Sequence, residues 1–449
     1  MNSRTMKDRT MTTTLRSELG RALRLAAALA FIGCDTEEIL SVEDPDIIDP
    51  NNVNTPAGAN ALYAGTIGEF SFAVVGDAGG QEGQILVGGL MSDEYIHSGT
   101  FPTRLEYEQR QIDERNGTLT GVFRQLQRAR WLADETVPLL RQFSPTPGSR
   151  IAEMFALAGL TYVFAGETYC SGVPFSDIDP LTFGIPLTTA QMFDTALARF
   201  DSSLTVTADS SVTIRNLARL GRARALLNLG QYAAAAAAVA GVPTNFVYQT
   251  THTTTSGRQQ NGVHVFNWLS ERWSVADVEG INGLNYRSAG DARVQVVSGG
   301  LGFDATTAQW NLTKYPARTT PLPIASGLEA RLIEAEAQLQ AGDNVGWLGT
   351  LNTLRATAIV PALPPLADPG TATGRVDLQF RERAFWLYAT GHRLGDLRRL
   401  VRQYLRTEDT VFPTDLHFKG SLYGDDMNVP VPFAERNNPN FTGCINRDA

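Results

Sequence analysis

The chain has 449 residues, of which 43% are hydrophobic, and this is enough apolar material to bury a substantial core in one large domain or two. Its formal net charge is −9. Because an acidic surface repels nucleic acid and other polyanions, the composition disfavours a nucleic-acid partner and a polyanionic ligand.

Residues 1–33 have the pattern of a processing signal. Six basic residues precede or flank a short apolar run, Leu25–Gly33, which ends directly before Cys34 and is too short to span a bilayer. The arrangement resembles a bacterial lipoprotein signal, in which Cys34 would be the lipidated first residue. An ordinary secretory peptide is the alternative. Without residues 1–33 the chain keeps 32 Lys and Arg against 45 Asp and Glu, a charge of −13.

Residues 34–54 follow as an acidic stretch that predicts a solvated tether between an anchor and a folded domain. In lipoproteins of the Bacteroidota type, such a run resembles a signal for export to the cell surface. The expected location is therefore the outer membrane, with a lipid anchor and the domain facing the cell exterior.

Residues 55–449 predict a single, mainly α-helical domain. Thr55 and Pro56 are typical of a helix start, and the glycine-rich residues 75–80 should separate that helix from the next one. The polar, Gly- and Pro-punctuated stretch Met91–Thr103 predicts a loop, and Val122–Asp134 returns to helical spacing.

Three later stretches are alike and predict helical hairpins of the tetratricopeptide type. They are Ile151–Tyr169, Asn216–Val239 and Gly327–Leu348, and each has a small residue seven positions before a glycine. A small residue lets two helices approach closely, and the glycine should end the first helix of the pair. Since a lone hairpin cannot bury its apolar face, the pairs are expected to stack on one another.

Residues 243–325 have a different composition. They are polar, rich in turn residues and in Trp and Tyr, and Val263–Leu269 alternates like a strand. The stretch predicts an irregular, loop-rich insertion with minor β structure.

Gln379–Arg399 predicts one long helix with an apolar seam on one side. A second stripe on this helix carries Glu382, Arg393 and Asp396. The two carboxylates, Glu382 and Asp396, are suitable ion-pair partners for Arg393 or for arginines of a neighbouring helix. The stripe has no nucleophile and no metal-ligand spacing, so a structural ion-pair network is favoured over an active site.

This C-terminal stretch carries a family resemblance. Arg381–Arg399 resembles the signature helix of the SusD/RagB nutrient-binding lipoproteins, with Thr390 where that family usually has Glu. Three further motifs agree with it: Asp291-Ala-Arg293, Leu351–Arg355 and Val429–Asn440. The resemblance implies a surface protein that binds a nutrient, an oligosaccharide or a peptide, and passes it to a SusC-like TonB-dependent outer-membrane transporter.

The resemblance also implies that the ligand site is built from loops between helices. Aromatic rings cover the C–H faces of sugars, while polar side chains meet the hydroxyl groups. The candidate ligand-binding residues lie in the early loop and in the insertion: Tyr95, His97, Phe101, Trp268, Trp273 and Tyr286. No cofactor and no metal site are predicted.

Two cysteines remain once Cys34 is modified. An exported chain enters an oxidising space, where Cys170 and Cys444 are expected to form a disulfide that fixes the C-terminal tail. Two separate buried thiols are the alternative.

The common catalytic motifs of hydrolases, metalloproteases and nucleotide-binding proteins are missing from the sequence, and the histidines are scattered. A binding protein without enzyme activity is therefore favoured. Two other classes stay open: a secreted helical-toroid glycoside hydrolase or lyase, because carboxylates are numerous, and a pure protein-interaction scaffold.

Overall fold

The structure, a computed structural model, describes residues 54–178, 180–206 and 211–449. The predicted signal peptide, Cys34 and the predicted tether up to residue 53 lie outside the described residues. The described part of the chain is mainly α-helical with short strands, and this confirms the predicted fold class. No helix in the described ranges is both long and apolar enough to cross a membrane.

The helices are α1 (Pro56–Val75), α2 (Gln84–Met91), α3 (Pro102–Glu108), α4 (Gly117–Phe143), α5 (Ser149–Thr168), α6 (Thr189–Val206), α7 (Val212–Asn228), α8 (Tyr232–Val239), α9 (Gly262–His264), α10 (Gly327–Gln340), α11 (Asn344–Thr357), α12 (Ala372–Trp386) and α13 (Arg393–Tyr404). The strands are β1 (Tyr95–His97), β2 (Val173–Pro174), β3 (Asp177–Ile178), β4 (Leu181–Thr182), β5 (Pro186–Leu187), β6 (Val247–Thr250), β7 (Trp273–Val275), β8 (Val296–Leu301), β9 (Ala308–Leu312) and β10 (Leu322–Ser326).

The N-terminal prediction is confirmed at residue level. The Thr55 hydroxyl accepts a hydrogen bond of 3.0 Å from the Gly58 N–H, so it caps α1, and Pro56 occupies the first turn. Helix α2 begins at Gln84, after the predicted break. The predicted loop after α2 contains the short strand β1.

Two of the three predicted helical hairpins are present in the structure as expected. Helices α7 and α8 are joined at Gly230 (φ +72°), and α10 and α11 are joined at Gly342 (φ +77°). This left-handed backbone conformation is one that glycine adopts without strain, and it ends the first helix of each pair. Helices α5 to α8 and α10 pack successively against one another.

The first pair, α5 and α6, is built differently. The prediction that Gly166 ends its helix was wrong, because α5 continues to Thr168 and two small hairpins precede α6. Gly159 and Gly166 instead face the rings of Phe200 and Phe193 on α6, where an added Cβ would lie 2.8 and 2.7 Å from a ring carbon. The glycines therefore allow two helices to approach closely.

The insertion is closed by the antiparallel pair of β6 and β10, which places Thr250 opposite Leu322. Inside it, β8 and β9 form a hairpin. The prediction of a strand at Val263–Leu269 was wrong. The Asn261 side chain accepts a hydrogen bond of 3.1 Å from the His264 N–H and so caps α9. After α9 the chain continues as a π-helical turn over Val265–Leu269.

The prediction of one long helix over residues 379–399 was also wrong. Helix α12 ends at Trp386 and α13 begins at Arg393, because Ala389 (φ +55°) and Gly391 (φ +75°) adopt left-handed conformations between them. We call residues 387–392 the link. The Ala389 N–H donates to Glu94 Oε1 at 2.8 Å, and the Tyr315 hydroxyl donates to the Ala389 carbonyl at 3.0 Å. These contacts from distant residues hold the helix break in place.

Ion pairs tie the C-terminal helices to the rest of the domain. The Asp396 carboxylate accepts two hydrogen bonds from Arg383, from Nε at 2.8 Å and from Nη2 at 2.9 Å. It accepts a third hydrogen bond, of 2.8 Å, from Arg399 Nη2. All three side chains are at most 4% exposed. Burial alone would raise the pKa of Asp396, but the two guanidinium groups outweigh it and hold the pKa well below its usual range.

The two other members of the predicted stripe pair outside their own helix. The Glu382 carboxylate forms ion pairs with Arg293 and Arg355, each at 2.7 Å. Arg393 donates two hydrogen bonds, of 2.6 and 2.9 Å, to the Asp93 carboxylate. The Asp93 carboxylate also accepts from the Leu284 N–H in the insertion. The stripe is thus a network that fastens the early loop and the insertion to the helices.

Candidate binding site

The early loop and the insertion meet in the structure. Strand β1 pairs antiparallel with β7, so that Tyr95 lies opposite Val275 and His97 lies opposite Trp273. The two sequence regions that were expected to form the ligand site are therefore neighbours, although about 175 residues separate them.

Four of the six candidate residues are buried inside the protein. Tyr95, Trp273 and Tyr286 are 0% exposed and His97 is 1% exposed. Direct contact of these four with a ligand does not agree with their burial, because each side chain is already covered by protein. The ring of Trp273, for example, packs edge-on against Phe266 with centroids 4.8 Å apart.

Trp268 is half-buried and is held by the protein itself. Its Nε1–H donates to the Leu312 carbonyl at 2.8 Å, and its ring stacks on His264. It does not line the cavity described below. Phe101 is different, since 47% of its side chain is exposed.

A cavity of about 780 Å³ opens beside Phe101, and we call it the Phe101 cavity. Its volume is within the range of small-molecule sites in proteins. It is lined by Ala78, Gly79, Gly80, Phe101, Arg104, Gly257, Gln260, Val265, Phe266, Leu269, Ser270, Arg272 and Arg318. The lining combines residues from the α1–α2 connection, the start of α3 and the insertion.

Aromatic rings and guanidinium groups lie close together at the cavity. The Arg272 guanidinium lies 3.8 Å from the centroid of the Phe303 ring and 4.8 Å from that of Phe101. The Arg104 guanidinium lies 4.5 Å from the Phe101 centroid and 5.0 Å from that of Trp273. Stacking of this kind holds the planar groups in one orientation.

The backbone of Arg272 is fixed by β1. Its carbonyl accepts from the Ser98 N–H at 3.0 Å and is 3.1 Å from Nδ1 of His97. Burial and nearby cations lower the pKa of His97 to about 3, so that this ring is neutral and supports the strand pair. Of the buried candidates, His97 thus holds the backbone of Arg272 beside the cavity.

Two buried polar atoms of the lining have no protein partner among the described residues. They are Arg104 Nη1, a donor, and Gln260 Oε1, an acceptor; both residues are at most 9% exposed. Arg104 is paired with Glu82 through Nε, and burial lowers the pKa of this arginine. A buried polar atom without a partner costs free energy. A ligand hydroxyl, which donates and accepts, would satisfy either atom, whereas a carboxylate would satisfy only Arg104 Nη1.

Part of the cavity lining is a glycine-rich turn, Ala78–Gly80. The Asp77 carboxylate accepts from the N–H groups of Gly79 and Gln81, at 2.8 and 3.0 Å, and the Ala78 N–H donates to the Gly257 carbonyl. Gly80 (φ +101°) completes the turn, and nothing lies within 4 Å of the position a Cβ would take there. The Asp77 side chain therefore fixes the turn, and the two glycines add no side chain to the lining.

A second cavity of about 630 Å³ lies between α6 and the C-terminal tail. Its lining has Phe193 as its aromatic residue, and this ring is 1% exposed and packed against α5. The Phe101 cavity, with an exposed ring and unpartnered polar atoms, is the stronger candidate for a ligand site.

The disulfide and the metal predictions concern other parts of the chain. Cys170 and Cys444 are joined by a disulfide with Cα atoms 6.0 Å apart, which connects the end of α5 to the C-terminal tail.

Within the described residues, no group of three or more His, Cys, Asp or Glu side chains is arranged to hold a metal ion.

Sequence reasoning missed Arg104, Gln260, Arg272, Arg318 and Phe303 as site residues. Arg272 directly precedes Trp273, a predicted site residue, so its position next to that residue was the one available signal. The remaining residues come from separate segments, and the sequence has no signal that brings them together.

No family model matches the sequence, and no curated protein matches it. Solved structures do match the fold. A SusD superfamily protein from Bacteroides thetaiotaomicron has a TM-score of 0.64 and 14% sequence identity, and the match covers 87% of this chain and 100% of that one.

Two further matches are to proteins described by what they bind. A laminarin-binding SusD-like protein matches with a TM-score of 0.63 and 14% identity, over 87% of this chain and 99% of its own. A SusD-like carbohydrate-binding protein from Bacteroides vulgatus matches with a TM-score of 0.55 and 12% identity, over 76% of this chain and 83% of its own. The chain therefore has the fold of the SusD superfamily proteins, as its C-terminal motif predicted.

Proposed function

We propose that this protein is a surface lipoprotein that binds a nutrient oligosaccharide in the Phe101 cavity and passes it to a TonB-dependent outer-membrane transporter. The observation that carries the binding role is the cavity itself: an exposed ring beside a buried donor and a buried acceptor that lack protein partners. A sugar ring offers a C–H face to Phe101 and hydroxyl groups to Arg104 and Gln260. The carbohydrate-binding proteins among the structural matches agree with this role.

Binding without bond cleavage is favoured by the lining. A glycoside hydrolase places two carboxyl groups on either side of the scissile bond. The lining of the Phe101 cavity, as far as the structure describes it, contains neither Asp nor Glu. The helical-toroid hydrolase or lyase is therefore the weaker alternative.

The anchor and the transporter partner are supported by the sequence. Cys34 follows the apolar run Leu25–Gly33, and the C-terminal motif resembles that of proteins that work with SusC-like transporters. The candidate residues Tyr95, His97, Trp273 and Tyr286 act in this proposal as the support beneath the cavity, and Phe101 acts as the ligand contact.

The binding role is tested with the mature protein and a panel of oligosaccharides and short peptides, by titration calorimetry together with an assay for new reducing ends. We expect saturable binding of at least one oligosaccharide and no new reducing ends. Release of reducing ends would establish the hydrolase instead, and binding of peptides alone would replace the sugar by a peptide. For the anchor, mass spectrometry of the mature N-terminus should find a lipidated Cys34.

For delivery, purification of the anchored protein from outer membranes should recover a large β-barrel transporter. Recovery of the protein alone, under conditions that keep other membrane complexes intact, would contradict the proposed partner.

A further inference from the structure

The Phe101 cavity is positively charged, although the chain as a whole is acidic. Its lining includes Arg104, Arg272 and Arg318 and, among the described residues, no carboxylate side chain. The sequence carries a net charge of −9. The concentration of three guanidinium groups at one cavity is therefore a local feature of the site.

Two of these arginines are not neutralised by the protein. Arg272 and Arg318 form no ion pair with a carboxylate in the part of the chain that the structure describes, and Arg318 is exposed. By contrast, the buried arginines of α12 and α13 that touch Asp396 each form an ion pair with a buried carboxylate. Arg272 is half-buried, and its guanidinium carbon lies 4.8 Å from the centroid of the Phe101 ring and 3.8 Å from that of Phe303. Ring contacts of this kind do not use the N–H donors, which stay available for another group.

Arg104 adds a directed donor. Glu82 balances its charge and binds its Nε, while Nη1 stays buried without a protein partner. The cavity thus offers two unbalanced cations at its rim and one oriented N–H in its wall. Guanidinium groups bind carboxylates and sulfates with two parallel hydrogen bonds, and they bind neutral hydroxyl groups more weakly.

We propose that the Phe101 cavity takes a saccharide unit that carries an anionic group, a carboxylate or a sulfate, with Arg272 and Arg318 as the residues that recognise the charge. This inference rests on the proposed function and names the substrate class of the same site. The exposed ring of Phe101 and the acceptor Gln260 Oε1 favour a sugar over a free acid, because both suit a ring with hydroxyl groups.

The acidic surface limits the ligand to few charges. Without residues 1–33 the chain carries −13, so a long polyanion would be repelled outside the cavity, while one or two charged units held at the arginines would not be. Short oligosaccharides with isolated acidic units are therefore the expected ligands.

The test compares matched ligands that differ only in charge. Neutral tetramers that carry a single galacturonate, glucuronate or mannuronate unit, the methyl esters of these tetramers, singly sulfated and unsulfated galactose oligomers, and neutral glucose oligomers are titrated into the mature protein at low and high salt. We expect at least one acidic ligand to bind about 10-fold to 100-fold more tightly than its neutral counterpart, and high salt to reduce the difference. The uronates and the sulfated oligomers distinguish the carboxylate from the sulfate.

Substitutions connect the preference to the arginines. Arg272→Gln and Arg318→Gln should each weaken binding of the acidic ligand by about 10-fold and leave its neutral counterpart within about twofold. Arg124→Gln is the matched control, because Arg124 is exposed on α4 and does not line the cavity. Circular dichroism and thermal melting confirm that each variant is folded, and Arg318→Gln keeps the test valid if Arg272→Gln does not fold.

The outcomes separate this inference from the proposed function. Equal binding of every acidic ligand and its neutral counterpart, or binding of neutral oligosaccharides alone, would overturn the inference and leave the proposed function intact. Binding of peptides through their terminal carboxylate, with no saccharide bound, would overturn both. So would the absence of binding by every ligand of both panels.

Discussion

Two sets of arginines in this protein differ in what neutralises them. In the C-terminal network, Arg383, Arg393 and Arg399 bind buried carboxylates through two or more hydrogen bonds. At the Phe101 cavity, Arg272 lies against the rings of Phe101 and Phe303 and has no ion pair with a carboxylate among the described residues. The same residue type therefore serves two purposes. An arginine paired with a carboxylate fixes the scaffold, and an arginine that contacts rings but no carboxylate keeps its donors for a ligand.

The largest effect is expected from the network. Asp396→Asn removes the charge that faces Arg383 and Arg399, both at most 2% exposed; Arg383 then stays buried without its two-bond carboxylate partner, while Arg399 keeps only Glu336. We expect unfolding in urea to show a loss of about 3–5 kcal/mol. Asp368→Asn is the control, since Asp368 binds Arg375 with the same two-bond geometry at the surface and should change stability little. Similar losses in the two variants would contradict the view that burial makes the network structural.

The disulfide is expected to stabilise the scaffold without affecting the cavity. Cys170→Ser combined with Cys444→Ser should lower the free energy of unfolding by about 2–4 kcal/mol, because the cross-link constrains the unfolded chain. Ligand affinity should stay unchanged, since neither residue lines the Phe101 cavity. Labelling of the denatured wild-type protein should find no free thiol at these positions, and two labelled cysteines would refute the bridge.

A pH-dependent effect is expected where the network meets the early loop. Burial, with a smaller contribution from Asp93, raises the pKa of Glu94 from its ordinary 4.5 to about 8. The folded state then keeps a proton that the unfolded state has lost, so stability falls as the pH rises from about 4.5 to about 8. Its neighbours Arg393 and Lys314 oppose the rise, and burial lowers the pKa of Lys314 to about 8.

Glu94→Gln removes this titration and keeps the Oε1 atom that accepts from the Ala389 N–H. The Tm of the variant should exceed that of the wild type by roughly 2–4 °C at pH 8 and should match it at pH 4.5. A difference that does not change with pH would show that Glu94 is ionised throughout.

The smallest effect in free energy is expected at the cavity rim. Phe101→Ala should weaken oligosaccharide binding by about 10-fold, because it removes the ring that covers a sugar face. The Tm should change little, since Phe101 is 47% exposed. Phe433→Ala is the control: Phe433 is 42% exposed and stacks with Arg115, but it does not line the cavity. Equal binding by the two variants would remove Phe101 from the site.

The fold was predictable where local sequence determines it. The cap at Thr55, the hairpin glycines Gly230 and Gly342 and the helical periods are signals that neighbouring residues create. The C-terminal motif identified the fold, although it could not show that the helix is interrupted. Ala389 has no local reason to adopt a left-handed conformation, and Glu94 and Tyr315 hold it from far along the chain.

The site was predictable only as a pair of regions. Sequence reasoning chose the early loop and the insertion, and the β1–β7 pair does join them. It could not tell Trp273, fully buried, from Phe101, half exposed, because exposure depends on which residues cover a ring. Arg318 was missed for a similar reason, since its place at the cavity depends on how the insertion folds back.

The link between α12 and α13 also has a consequence for how such a protein can change over time. Through Glu94, which directly precedes β1, it fastens the early loop to the C-terminal helices. The rim residues Phe101, Phe303 and Arg318 are exposed and take no part in that attachment. New ligand preferences can therefore arise by exchange of rim side chains at little cost in folding, while the scaffold is inherited unchanged.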